Sequence, residues 1–243
     1  PDWNCCGATT YFGMDKWKAV ALAGRLLALA QAQGFEEIVT VCNACFSTLR
    51  KANEWFIAHP ENLREVNNCL REENLHIDGP IKVRHYLDVL VHDVPENTWA
   101  RNKGTDLSGV SVAGYYGCQL NRPWNDLGDP EHPTILEDFI QMLGFTPVEH
   151  SAKTRCCGAA HAVAYVKDCR PLIGRIIGEV HGKGAHMVAT VCPLCQFNLD
   201  AGQSGLRLPR VPVPYFSQLA GLALNLDRES LGLKKLLVPL SGI

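Results

Sequence analysis

Nine of the chain's eleven cysteines fall into two sets with repeated spacing. Thiols grouped in this way hold metal ions, hold iron–sulfur clusters or exchange disulfides. Cys5-Cys6-Gly7 recurs 151 residues later as Cys156-Cys157-Gly158, and Cys42-Asn43-Ala44-Cys45 recurs 150 residues later as Cys192-Pro193-Leu194-Cys195. The second set has a further member, Cys118, in Tyr115-Tyr116-Gly117-Cys118. Thirty-seven residues separate it from Cys156, and thirty-four separate Cys157 from Cys192.

Spacing discriminates among the chemistries. The chain is too long to need a disulfide framework, and an odd number of cysteines leaves one unpaired. A lone Cys-x-x-Cys at a helix start is a plausible redox dithiol. Here, however, each one is coupled to a Cys-Cys-Gly, and the first copy lacks the proline of the second. Structural zinc takes four ligands, so five thiols exceed its needs, whereas adjacent thiols suit a centre with several iron atoms. An ordinary cubane takes four cysteines, so a fifth implies an unusual cluster. For the first set, with only Cys5, Cys6, Cys42 and Cys45 visible, zinc stays open. By the repeat, a counterpart of Cys118 is expected about 33 residues before Pro1.

The elements that must position these thiols repeat as well. Thr40-Val41-Cys42 matches Thr190-Val191-Cys192, and Gly34 matches Gly184, each eight residues ahead of its cysteine pair. His85-Tyr86-Leu87 resembles Pro214-Tyr215-Phe216 at a smaller offset, which implies an insertion in the first copy near 54–79. The patterning predicts helices over 17–33, 45–57 and 133–143, and strands over 37–41 and 110–116. Alternating strands and helices imply parallel sheets. The expected fold is α/β, with two pseudo-symmetric lobes, each a small parallel sheet with flanking helices, over residues 1–100 and 105–243 and joined by a polar linker at 97–108.

The duplicated pattern resembles the cysteine-rich CCG domain family, and within it the B subunits of heterodisulfide reductases. That resemblance implies two noncubane [4Fe-4S] clusters at which a disulfide is reductively cleaved. Cys118, Cys156, Cys157, Cys192 and Cys195 would hold one. Cys5, Cys6, Cys42 and Cys45, with the upstream cysteine, would hold the other. It also implies two partners, a ferredoxin-like iron–sulfur protein (the C subunit of such complexes) and a flavoprotein (their A subunit). The chain itself has no ferredoxin cysteine run and no glycine-rich dinucleotide fingerprint, so no flavin or nicotinamide is expected in it.

Remaining residues carry weaker expectations. His161, close behind the second Cys-Cys-Gly, is a candidate proton donor, although a structural hydrogen bond is the plainer reading. Arg122 is read as a surface arginine or as a contact for an anionic substrate tail. Cys69 and Cys169 fit neither set, Asn43 and Pro193 should shape turns, and Trp17 and Trp55 should be core. Net charge is −2 with no basic stripe, which argues against nucleic acid. The longest apolar stretch, Ala19 to Ala30, is short and contains Arg25, so no membrane span is expected and a cytoplasmic location is. Besides a disulfide-cleaving (or disulfide-forming) subunit, the sequence admits an electron-relay subunit without its own substrate, or a zinc-bearing structural module.

Overall fold

The computed structural model describes residues 2–8, 10–101 and 106–240. The chain divides into two compact units, Pro1–Tyr86 and Leu87–Ile243. Each is a small parallel sheet flanked by helices.

In the first unit, helix α1 (Thr10–Met14) leads to α2 (Lys16–Ala32), strand β1 (Glu37–Thr40), helices α3 (Asn43–Ala58) and α4 (Pro60–Leu70), and strand β2 (Lys82–His85). Helix α2 starts where the Asp15 carboxylate accepts the Lys18 N–H at 3.1 Å. Its buried face joins the small residues Ala19, Ala23, Gly24 and Ala28 to Val20 and Leu27. A Cβ at Gly24 would stand 3.0 Å from Val66 and 3.2 Å from Ile77 and Phe56, so glycine allows the close approach of the neighbouring helices there. Val66 and Ile77 belong to the stretch read as a polar insertion. Its polar face is real, but α4 turns Val66 and Leu70 inward, and Asn67 seals the return by bonding the backbone N–H and C=O of Ile77 at 2.8 and 3.0 Å. Strands β1 and β2 pair in parallel, with Thr40 opposite His85.

The second unit opens with helices α5 (Tyr86–His92) and α6 (Glu96–Arg101), followed by strand β3 (Ser111–Tyr115), helix α7 (Ile135–Met142), strand β4 (Thr146–Val148), helix α8 (Val166–Gly182), strand β5 (Met187–Thr190), and helices α9 (Pro193–Ala201) and α10 (Phe216–Ala223). Its sheet order is β4-β3-β5, all parallel, and Tyr215 adds a parallel bridge to Thr190. All four residues of β5 are fully buried, as expected for a parallel strand covered on both faces. The polar stretch read as a linker begins as α6, whose Trp99 packs edge-on against Phe139 at 5.3 Å. Residues 102–105 of that stretch lie outside the described residues.

Register refines the repeat. His85 sits opposite Thr40 and Tyr215 opposite Thr190, and the following helices start at Tyr86 and Phe216. His85 therefore corresponds to Tyr215, one residue away from the match suggested by the two tyrosines. Trp17 and Trp55 are not core residues. They are half-buried, pair edge-on at 6.2 Å, and carry the Lys16 ammonium 4.9 Å above the Trp55 ring.

Candidate iron–sulfur sites

The Cys-x-x-Cys motifs lie at strand-to-helix junctions. Cys42 caps α3 and Cys192 caps α9 with nearly the same backbone, φ/ψ −138/126 and −134/120. Asn43 and Pro193, expected to shape turns, are the first residues of those helices. Proline is favoured there because its missing N–H costs no helical bond. Cys45 and Cys195 follow in the first turn, where unpaired backbone N–H groups favour negative charge. The other cysteines of the second set also lie beyond strand ends, but no α-helix follows them directly. Cys118 leads a long loop after β3, and Cys156-Cys157 follow a turn after β4.

All eleven cysteines are free thiols. In the second unit the Cys157 and Cys195 sulfurs lie 3.5 Å apart, Cys195 also bonds Cys192, and Cys118 bonds Cys156. In the first unit Cys6 bonds Cys45 and Cys5, and Cys45 bonds Cys42. The sequence-predicted residues are thus brought together within each unit. They meet as pairs. Among the described residues, no three His, Cys, Asp or Glu side chains are spaced to hold one metal ion.

Hydrogen bonding separates these thiols electrostatically. The Cys118 thiol donates to Cys156, which pulls Cys156 down to about 6, helped by the Gly158 N–H at 3.3 Å. Cys6 is pulled down to about 6 by Cys45. The donors Cys118, Cys45 and Cys195 are pushed up, first by their thiolate neighbours and then by burial. An exposed Cys156 with a depressed pKa gives a direct expectation. In metal-free protein its iodoacetamide reactivity should hold from neutral pH down to about 6 and fall below it. A midpoint near 9 would mean that Cys118 does not donate to it.

Tight backbone turns hold the paired cysteines. Gly7 and Gly158 both adopt left-handed conformations, φ 80° and 85°. A Cβ at Gly158 would meet the Cys169 sulfur at 2.9 Å, and one at Gly7 would meet the Ala19 carbonyl oxygen at 2.8 Å. Cys169 is therefore a buried packing residue whose thiol donates to the Gly158 carbonyl at 3.3 Å, whereas Cys69 is exposed. Gly158→Ala should cost about 1–3 kcal/mol in urea unfolding, from conformational strain plus collision with Cys169. Gly34→Ala, also left-handed but with open space around it, should lose only the strain component. Equal losses would mean that Cys169 moves freely.

Other candidates fall differently. His161 is exposed, its ring edge-on to Tyr165 at 5.6 Å, and its positive form would favour the Cys156 thiolate. Arg122 is engaged within the protein, bonding Glu131 at 2.5 Å and the Thr154 carbonyl at 3.2 Å. Several supporting residues had no signal in the sequence. Asn198 donates to the Cys157 carbonyl at 2.7 Å, and Lys153 and Glu137 form a buried ion pair at 3.3 Å. Each is a single polar residue without a motif, and only tertiary contact reveals it.

The two units differ at one sheet edge. In the second, β5 lies between β3 and the Tyr215 segment, and Ala189 and Val191 are fully buried. In the first, β1 pairs among the described residues only with β2, and the matching residues Val39 and Val41 are 45 % and 53 % exposed. Along this edge runs a cavity of about 770 Å³ lined by Cys5, Cys6, Cys42 and Cys45 together with apolar side chains.

Residues 1–50 and 112–200 match the cysteine-rich domain family CCG, the segments that carry both cysteine sets. The chain belongs to this family. It is 29 % identical over 97 % of its length to the B subunit of the ferredoxin/F420H2-dependent CoB-CoM heterodisulfide reductase of Methanosarcina acetivorans, covering 81 % of that protein. It is 32 % identical over 95 % of its length to the 8-methylmenaquinol:fumarate reductase membrane anchor subunit of Wolinella succinogenes, covering 82 %. A crystal structure of a hypothetical protein from Helicobacter pylori shares the fold, with TM-score 0.76 over 96 % of this chain at 13 % identity. The chain spans 44 % of that larger protein. These CCG relatives support an oxidoreductase role as one member of a larger complex. No helix among the described residues is long and apolar enough to cross a membrane.

Proposed function

We propose that this CCG protein is the iron–sulfur subunit of a heterodisulfide-reductase-like complex, reducing or forming a disulfide of small thiols at two noncubane [4Fe-4S] clusters. The observation that carries the reading is the pair of all-thiol sets, each drawn together by sulfur contacts and each built on a cysteine at a helix start and a left-handed Cys-Cys-Gly turn. Iron clusters fit this donor set because thiolate is the soft ligand they select. Cys118, Cys156, Cys157, Cys192 and Cys195 would hold the second cluster, and Cys5, Cys6, Cys42 and Cys45 the first. When bound, the clusters supply the electrons that break a sulfur–sulfur bond.

The protein's own residues prepare this chemistry. The helix starts at Cys42 and Cys192 favour the anionic sulfurs, and the thiol–thiol bonds hold Cys6 and Cys156 as thiolates at neutral pH. The open edge of β1 and its cysteine-lined cavity are suited to a parallel strand like β3, ending in a Gly-Cys turn and supplied from upstream of Pro1. Such a strand would bring the first site to five thiols. His161, whose positive form would favour the Cys156 thiolate, is assigned as the proton donor to a released thiolate. The reading includes a ferredoxin-like iron–sulfur protein and a flavoprotein as electron partners, and a cytoplasmic location.

Anaerobic iron and acid-labile sulfide analysis tests the reading, together with EPR after oxidation in the presence of a thiol. About eight irons per chain and a thiol-dependent radical-like signal are expected, or about four irons if the first site needs its fifth thiol. Zinc with little iron would reject it. Similarity to a fumarate reductase subunit favours a second reading, an electron relay without its own substrate. That reading predicts iron with no thiol-dependent signal.

A further inference from the structure

The three residues before Cys156 present three successive carbonyls, and the segment that carries Cys118 binds all of them. The Lys153 carbonyl accepts the N–H groups of Tyr116 and Gly117 at 2.9 and 3.1 Å. The Thr154 carbonyl accepts Arg122 Nη1 at 3.2 Å. The Arg155 carbonyl accepts the Tyr115 hydroxyl at 2.6 Å. A second layer fixes this zipper. The Lys153 ammonium, 4 % exposed, lies 3.3 Å from the buried Glu137 carboxylate and 3.2 Å from Glu149. Glu137 also accepts the Tyr116 hydroxyl, which in turn accepts the Leu136 N–H at 2.7 Å. Gly114 leaves room for it, since a Cβ there would lie 3.0 Å from Glu137 Oε1.

Nothing in β-sheet pairing requires this arrangement. Cys118 lies beyond the end of β3 and Cys156 well beyond the end of β4, so the ladder does not fix their separation. The first unit holds the matching stretch by other means: Asn4 bonds the Leu22 carbonyl at 3.0 Å, and Arg25 binds Asp2 and Glu73.

We propose that Arg122 and Lys153 are positioning residues for Cys118: they lock its loop to the segment leading into Cys156, so that the two thiols meet. As positioning of a cluster ligand, the proposal rests on the iron–sulfur reading above. As geometry, it is testable without any cluster.

The test is site-resolved alkylation of metal-free protein by iodoacetamide, followed by mass spectrometry, for Arg122→Met and for the double variant Glu137→Gln/Lys153→Met. Arg122 is partly exposed, so its replacement threatens the fold little, and the double variant leaves no unpaired buried charge. Cys118 should react about tenfold faster in both variants, the factor that one charge-assisted hydrogen bond sustains. Buried Cys192 should keep its rate, and Arg122→Lys should recover part of the protection. General loosening would instead raise Cys118 and Cys192 together, and that result overturns the proposal. So does a Cys118 rate within about twofold of the parent in both variants. After anaerobic reconstitution, Arg122→Met should also bind less iron than the parent. If the parent itself binds no iron, the iron–sulfur reading fails while the alkylation result still decides the clamp.

Discussion

Replacing Cys195 with serine should remove about half of the iron that the anaerobically reconstituted protein binds, if each site holds one cluster. Cys195 joins the two halves of its site. Its sulfur touches Cys157 at 3.5 Å and bonds Cys192, and it lies in the first turn of α9 with 8 % of its surface exposed. A hydroxyl there is a harder and far more weakly acidic donor than a thiol, so it does not replace a thiolate at iron. The fold should survive, because serine is nearly isosteric and the side chain keeps hydrogen-bonding partners. Cys69→Ser, at an exposed position outside both sets, is the control and should bind iron like the parent. Iron unchanged in Cys195→Ser would remove this residue from the ligand set. Complete loss of iron would mean that the two CCG units do not load independently.

Lys153→Met should destabilise the protein by about 3–5 kcal/mol at neutral pH, since it strands the Glu137 carboxylate in the interior. Glu137 is 5 % exposed, and burial already raises its pKa above the ordinary 4.5, against the lowering effects of Tyr116 and Lys153. The sign of the pH dependence follows. A carboxyl whose folded pKa is raised opposes folding only when ionised, so its penalty is absent below the unfolded value and grows as pH rises through and above it. Removing Lys153 raises the folded value further. The stability difference between variant and parent should therefore be largest near neutrality and shrink as pH falls toward about 4.5. Glu137→Leu/Lys153→Met should recover most of the loss, because an apolar pair of similar volume carries no desolvation penalty. Urea unfolding of the metal-free protein at pH 5 and pH 7 reads both effects. A loss below about 1 kcal/mol at pH 7 would show that water reaches Glu137 once the lysine is gone.

The nine motif cysteines, the repetition of their surroundings and the parallel α/β character were legible from the residues alone. All three are written as periodicity: a motif recurring at an offset of 150–151, and apolar runs of strand length beside helical ones. The tight turn at Gly158 has a local cause, because glycine adopts its left-handed backbone without strain beside two thiols. Tertiary structure decided what depends on partners distant in the chain. Strand β2 and the three-residue β4 are too short to announce themselves, and they exist because each completes a parallel ladder with a strand far away in sequence. The stretch read as an insertion looks polar, yet it buries Val66 and Ile77 against Gly24, because two or three apolar residues per helix suffice once a flat face is offered. Arg122 was read as a surface arginine or a contact for an anionic substrate tail, and Lys153 and Glu137 carried no signal. Their roles come from carbonyls and carboxylates brought within hydrogen-bonding distance by the fold, a relation that no local pattern encodes. The thiols were readable one by one, but which thiol donates and which is held ionised depends on sulfur contacts that only the folded chain creates.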